Sequence, residues 1–437
     1  MAGDPGLATR LLTRILGIER DELPPVAAGM LMFFLLFAGY FMLRPVRETM
    51  GIAGGVRNLQ WLFTGTFIAT LVAIPVFGTI ASRVARRRIL PWTYGFFATN
   101  LLAFAVAIPM APDNAWLARA FYIWLSVFNL LAISVAWSVL ADLMPSSQAK
   151  RLFALAAAGA SAGGLAGPAA GLLLVGAIGH GGLMAVATAL LVGSAAAAMW
   201  LQRWRDARPL DPADAPARRA PLGGNPFAGI GTVLRSPYLL GIAAFVVLLA
   251  SVTTFLYFEQ ARLVELHFPD PIDQTRVFGL LDVVVQALAI FTQLFLTGRI
   301  VRRLGLAVLL TTVPVVMVAG FLWLAMAPTF AVLAIVMVTR RAGEYALARP
   351  GREILFTVVA PAEKYKAKNV IDTAVYRGAD AVSGWVKAGI DALASSPAVV
   401  GLIGAAVALA WAGTGYGLAR AQGRREAAGA ASAAPRS

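Results

Sequence analysis

Long apolar runs separated by short polar breaks recur from residue 25 to residue 419 of this chain. A helix crossing a bilayer needs about 20 mostly apolar residues. The runs predict six such spans at 25–46, 58–81, 89–110, 115–141, 152–177 and 182–202. Six more are predicted at 237–258, 277–298, 305–327, 329–348, 368–393 and 397–419. The polar breaks alternate in character. "SRVARRRIL" (82–90) and "RWRDARPLDPADAPARRAPLGGN" (203–225) are rich in arginine, whereas "APDNAW" and "ASSPAV" contain no Lys or Arg. Cytoplasmic loops of membrane proteins collect Lys and Arg, so the alternation predicts that both termini lie in the cytoplasm.

These breaks divide the chain into an N-terminal cytoplasmic or interfacial segment (1–24), a first six-helix half (25–202), a cytoplasmic linker (203–236), a second half (237–419) and a cytoplasmic tail (420–437). In the first segment Leu11, Ile15 and Ile18 fall on one helical side and Arg10 and Arg14 on another, as in a helix lying on a membrane surface. Composition agrees with the membrane reading: 59% of the 437 residues are hydrophobic and only 14% charged, against roughly 25% charged in soluble domains. The net charge of +15 is mostly the inner-loop bias and calls for no nucleic-acid partner. The chain has no cysteine and only two histidines, His180 and His267, both in connecting segments. No metal site, cofactor or nucleophile motif is expected, and no enzymatic activity.

The two halves share a period. Shifted by 216, "SRVARRRIL" meets "GRIVRRLGL" (298–306) and "MPSSQAKRL" (144–152) meets "APAEKYKAKN" (360–369). One residue further on, "YFMLRPVRE" (40–48) meets "YFEQARLVE" (257–265). Tandem six-helix halves of the same orientation are a parallel repeat. "GTIASRVARRRIL" (78–90) resembles the loop signature between the second and third helices of major facilitator transporters, with Ser82 and Ala85 in place of the usual acidic residue and glycine. That resemblance implies an all-α polytopic fold with 12 transmembrane helices in two halves, working by alternating access.

Charge inside a span marks function by default, because a charged side chain at the bilayer centre costs about 2.5–3.5 kcal/mol or more. In the tenth helix "VTRRAGEYALARPGRE" places Arg340, Arg341, Glu344 and Tyr345 near mid-membrane. Glu344 is i+4 from Arg340 and i+3 from Arg341, so one guanidinium is left over. A spare guanidinium suits a carboxylate or phosphate ligand. Arg44, Arg47 and Glu48 share a face of the first helix, in its outer third. Tyr257, Glu259 and Arg262 stand at the equivalent depth of the seventh. Asp282 is the single charge in the middle of the eighth helix, a proton carrier or an arginine partner. In the eleventh, Thr373, Arg377, Asp380 and Lys387 recur at intervals of four, three and seven along one stripe. The fifth helix has instead a ladder of small residues, Gly159, Gly163, Gly167 and Gly171, that fits close helix packing.

Arg44, Arg47, Arg340, Arg341 and Arg377 together imply an anionic substrate, with Tyr40, Tyr257, Tyr345 and Tyr376 available to stack on a ring. "LRPVRETMG", the charged tenth helix and "EKYKAKNVIDTAVYRGAD" resemble the bacterial relatives of the ATP/ADP translocases, a branch of the same superfamily. In the second helix, where that branch carries a lysine, this chain has Gln60 and Trp61, with Arg57 just outside. The resemblance implies an exchanger of anionic metabolites, nucleotides first, in the inner membrane of a bacterium, with Glu344, Asp282 and Asp380 as coupling residues. The alternative is a proton-coupled exporter of drugs or organic ions. The lipid bilayer is the only partner expected besides the small anionic substrate, and the oligomeric state is left open.

Overall fold

The computed structural model describes residues 23–84, 86–143, 146–207, 229–393 and 396–433. The amphipathic segment at 10–18 and the 208–225 part of the linker lie outside the described residues. Every regular element among those described is helical.

Helix α1 is Leu23–Ala53, α2 Leu59–Arg83, α3 Arg86–Met110 and α4 Ala115–Leu143. The helix Ser146–Asp206 breaks at Gly179, whose φ of 65° is left-handed, so its two arms are antiparallel spans, α5 and α6. A short helix, Ile230–Arg235, precedes α7, Pro237–His267. Helix α8 begins as Pro271–Thr292, passes through a π-turn at Gln293–Thr297 and ends where Gly305, with φ of 75°, reverses the chain. The arm from Gly305 to Met326 is α9. Helix α10 comprises Phe330–Gly343, a π-turn Glu344–Ala348 and Arg349–Leu355. Helix α11 comprises Pro361–Val370, a π-turn Ile371–Val375 and Tyr376–Leu393, and α12 is Pro397–Ala433. Ser236, Asp270 and Thr329 cap α7, α8 and α10 by accepting a backbone N–H with their side chains.

Among the described residues nine helices are long and apolar enough to cross a membrane, one of them the broken α5–α6 element. Two more long elements, α10 and α11, carry the intramembrane charges. Leu102, Val106, Leu173, Phe291, Leu322 and Leu409 are exposed on these helices, as a lipid-facing surface requires.

Two apolar cores form. One is built from Val26 to Leu201, around Phe33, Tyr94 and Phe121; the other from Val233 to Leu418, around Phe245, Phe356 and Trp411. A third cluster, including Ile52, Leu62, Tyr122, Phe258 and Phe278, joins them. Helices α1 and α5 make the closest approach in the first core. A Cβ on Gly159, Gly163 or Gly167 would lie 2.4, 2.3 or 2.3 Å from the carbonyl oxygens of Met30, Phe34 and Ala38 respectively. The ladder is therefore a backbone contact surface for α1, which presents the cavity arginines.

Gly163→Val therefore lowers the thermal unfolding temperature of the detergent-purified protein, since forced overpacking costs about 1–3 kcal/mol or more. Gly78→Ala and Gly95→Ala, whose added carbons meet nothing within 4 Å, leave it unchanged or slightly higher.

Candidate functional site

A cavity of about 490 Å³ lies where the two halves face each other, a size typical of sites for small molecules. Tyr40, Arg44, Arg47 and Glu48 of α1 line it from one side, with Phe63 and Thr66 of α2 and Tyr122, Ser126, Asn129 and Trp137 of α4. The other side is formed by Thr253 and Tyr257 of α7, Asp282 of α8, Arg340, Arg341, Tyr345 and Arg349 of α10, and Tyr376, Arg377 and Asp380 of α11. Six guanidiniums thus meet three carboxylates, Glu48, Asp282 and Asp380. Even with Glu344 counted as the partner of Arg340, the lining keeps an excess of positive charge.

Local spacing leaves Arg341 without a carboxylate, and the tertiary fold corrects this. Asp282 reaches across from α8, with its Oδ1 2.5 Å from Arg341 Nη2 and 3.8 Å from Arg44 Nη1. The arginine-partner role thus fits Asp282, which also ties α1 of the first half to α8 and α10 of the second. Arg340 takes the local partner: its Nη1 donates to Glu344 at 2.7 Å and to Thr253 Oγ1 at 2.9 Å. Arg47 donates to Glu48 at 2.6 Å and lies 4.9 Å above the Tyr122 ring. Arg377 is loosely held, 3.6 Å from Asp380 Oδ2, while Thr254 Oγ1 donates to Oδ1 of the same carboxylate at 3.3 Å. Arg349 has no carboxylate partner among the described residues and lies 5.8 Å from the Tyr345 ring centre. The best-placed guanidiniums for an incoming anion are consequently Arg44, Arg377 and Arg349, whose resident partners are distant or missing.

Four candidates go elsewhere: Glu259, Arg262, Lys387 and Thr373. Glu259 pairs with Arg262 on the exposed side of α7 and lines a separate cavity of about 700 Å³ with Arg57, Gln60, Glu265, Lys387 and Asp391. Two residues turn a helix by roughly 200°, so Glu259 and Tyr257 share depth but point apart. Lys387, 2% exposed, bonds to Asp391 at 2.5 Å in that second cavity, and Thr373 lines a third, smaller one. The α11 stripe is too long for one cavity: 14 residues rise roughly 21 Å. Arg349 escapes detection in the sequence because it sits where α10 runs into a basic loop and looks like an inner-loop cation. His180 bonds Thr275 Oγ1 at 2.9 Å, and Thr275 in turn bonds Thr49 Oγ1 at 2.7 Å, a bridge between the halves.

The halves are sealed together at the end of the bundle bearing the 54–58 turn. Phe63 packs on Tyr257 and Phe258, with ring centres 5.3 and 5.7 Å apart, and Trp61 packs on Trp385 at 4.7 Å. Trp385 Nε1 donates to Thr64 Oγ1 at 3.0 Å. Phe63 and Tyr257 line the cationic cavity, and their neighbour Phe258 lines the second one.

Two helical halves thus meet around a charged central cavity. The chain belongs to the Major Facilitator Superfamily, whose family model matches residues 26–365. It is therefore an integral membrane protein that carries a small molecule rather than an enzyme. The ADP,ATP carrier protein 1 of Chlamydia muridarum is 22% identical over 425 residues, covering 82% of this chain and 80% of the carrier. Among solved structures, the nucleoside transporter NupG is 14% identical with a TM-score of 0.61, covering 90% of this chain and 99% of its own. The human organic anion transporter MFSD10 is 15% identical with a TM-score of 0.58, over 90% of this chain and 99% of its own.

Asp282→Asn strands the buried Arg341 cation, and removing one partner of a buried pair costs about 3–5 kcal/mol. Its melting temperature falls well below that of wild type. The double variant Asp282→Asn/Arg341→Gln recovers much of the loss, a coupling that a double-mutant cycle measures directly.

Proposed function

We propose that this transporter exchanges anionic metabolites, nucleotides in the first place, by alternating access across the inner membrane of a bacterium. In this reading the chain crosses the membrane twelve times with both termini in the cytoplasm, and the sealed end with the 54–58 turn faces outward. The observation that carries the proposal is the cationic excess of the cavity, six guanidiniums against three carboxylates. Desolvating such an excess is costly unless an anion completes it. That cost opposes closure of an empty cavity on both sides and favours exchange over one-way transport. Arg44, Arg377 and Arg349 are the ligands for the anion, Arg47, Arg340 and Arg341 supply the surrounding positive field, and Glu344, Asp282 and Asp380 set the geometry. Tyr40, Tyr257, Tyr345 and Tyr376 offer ring surfaces to a base. The two chlamydial relatives, both named ADP,ATP carrier protein 1, support the nucleotide assignment.

The proton-coupled alternative is the weaker reading, because Asp282 is engaged by Arg341 and Arg44 and so serves as a counter-ion.

Proteoliposomes loaded with ADP take up radiolabelled ATP, whereas empty ones do not, and the uptake survives collapse of the proton gradient. Arg377→Gln weakens ATP uptake by roughly ten- to a hundredfold, the worth of one charged hydrogen bond. Absence of counter-exchange with every nucleotide tested would sink the nucleotide reading. Uptake that instead follows the proton gradient and needs Asp282 would establish the exporter.

A further inference from the structure

Helices α8 and α10 each contain a π-turn, Gln293–Thr297 and Glu344–Ala348, and the two are fastened together. Gln293 Nε2 donates to the Tyr345 carbonyl at 3.0 Å, and Thr297 Oγ1 donates to the Ala346 carbonyl at 2.8 Å. A π-turn disturbs the i→i−4 ladder and loosens carbonyls that must find other partners in an apolar setting. Here the partners are side chains of the neighbouring helix, themselves presented by its own π-turn.

The turn in α10 also changes which residues share a face. Over the eight residues from Arg341 to Arg349 a regular helix would turn roughly 80° beyond two full turns. A π-turn takes in one extra residue and removes about 100° of that rotation, which leaves Arg349 nearly in line with Arg341. Both guanidiniums line the same cavity, and the bulge accounts for it. Arg349, unlike Arg341, has no carboxylate partner among the described residues.

We propose that Arg349 is a substrate-binding residue at the open end of the cavity, and that Gln293 and Thr297 are positioning residues whose bonds hold α10 in the register that presents it. The ligand class is a polyanion, such as a nucleoside di- or triphosphate. Its far phosphates reach Arg349, while Arg44 and Arg377 hold the nearer ones. The polyanion rests on the exchange reading above; the register does not.

The chain lacks cysteine, so Arg349→Cys gives a single thiol without further engineering. It reacts readily with a negatively charged methanethiosulfonate, and ATP or inorganic pyrophosphate slows the reaction at least tenfold. Closing the π-turn by deleting Ala346, or removing the fastening bonds with Gln293→Leu/Thr297→Val, lowers the reactivity of the introduced thiol severalfold without protecting agents. The second variant serves where the deletion does not fold. A thiol that reacts equally in the altered registers overturns the positioning role. One that neither ATP nor pyrophosphate protects, in a variant that still takes up ATP, overturns Arg349 as a ligand. In proteoliposomes Arg349→Gln reduces the preference for ATP over AMP about tenfold, and an unchanged preference likewise overturns the ligand role. A wild type that exchanges no nucleotide while the register effect persists refutes the exchange reading and the polyanion together, and leaves the positioning role standing.

Discussion

Charge within an apolar bundle must meet either water or opposite charge, and the architecture of this protein follows from how that requirement is met. Asp282 is the pivot. It is 3% exposed and stands on α8 facing arginines from both halves, Arg341 on α10 and Arg44 on α1. Without it Arg341 would be a buried cation with no counter-charge, since Glu344 is already taken by Arg340. With it, the halves meet around a cavity that is still cationic but not intolerably so. The remaining deficit of negative charge is what the anionic substrate proposed above would supply.

The two halves meet this demand with different mechanics. In the first, α5 lays a glycine ladder against the backbone of α1, so Arg44, Arg47 and Glu48 stand on a rigid, closely packed pair. In the second, α8, α10 and α11 each carry a π-turn close to the polar residues. Such turns let a helix change face along its length and allow α10 to aim both Arg341 and Arg349 into one space. They also leave carbonyls to be satisfied from outside, which couples neighbouring helices by side chains rather than by apolar packing alone. The aromatic contacts of Phe63 with Tyr257 and Phe258, and of Trp61 with Trp385, then join the halves at one end.

Much of this was legible in the order of residues. The apolar runs located the helices, although α7 continues to His267 and α12 to Ala433, well beyond the predicted ends at 258 and 419, and the reversals at Gly179 and Gly305 inside continuous helix appear only in the structure. Intramembrane charge marked α1, α8, α10 and α11, and most of the candidate residues on them and on α7 line the cavity or pair with its lining, whereas Glu259, Arg262, Lys387 and Thr373 line other cavities. Glu259 shows the limit of reasoning by depth: Tyr257 stands two residues before it in sequence and on the other side of the helix in space. Arg349 shows a second limit, because a π-turn rotates everything beyond it and leaves no mark in the hydrophobic pattern.

Hydrophobicity and the cost of burying charge act on each segment by itself, so the sequence alone determined that the chain is a helical membrane protein with charge held inside it. Which charges meet depends on contacts between residues far apart in the chain. The pairing of Asp282 with Arg341, the bonds from Gln293 and Thr297 to α10, and the separation of Glu259 from the cavity are of that kind. They were decided only when the helices packed, because a side chain's partner is set by the face and register its neighbours impose.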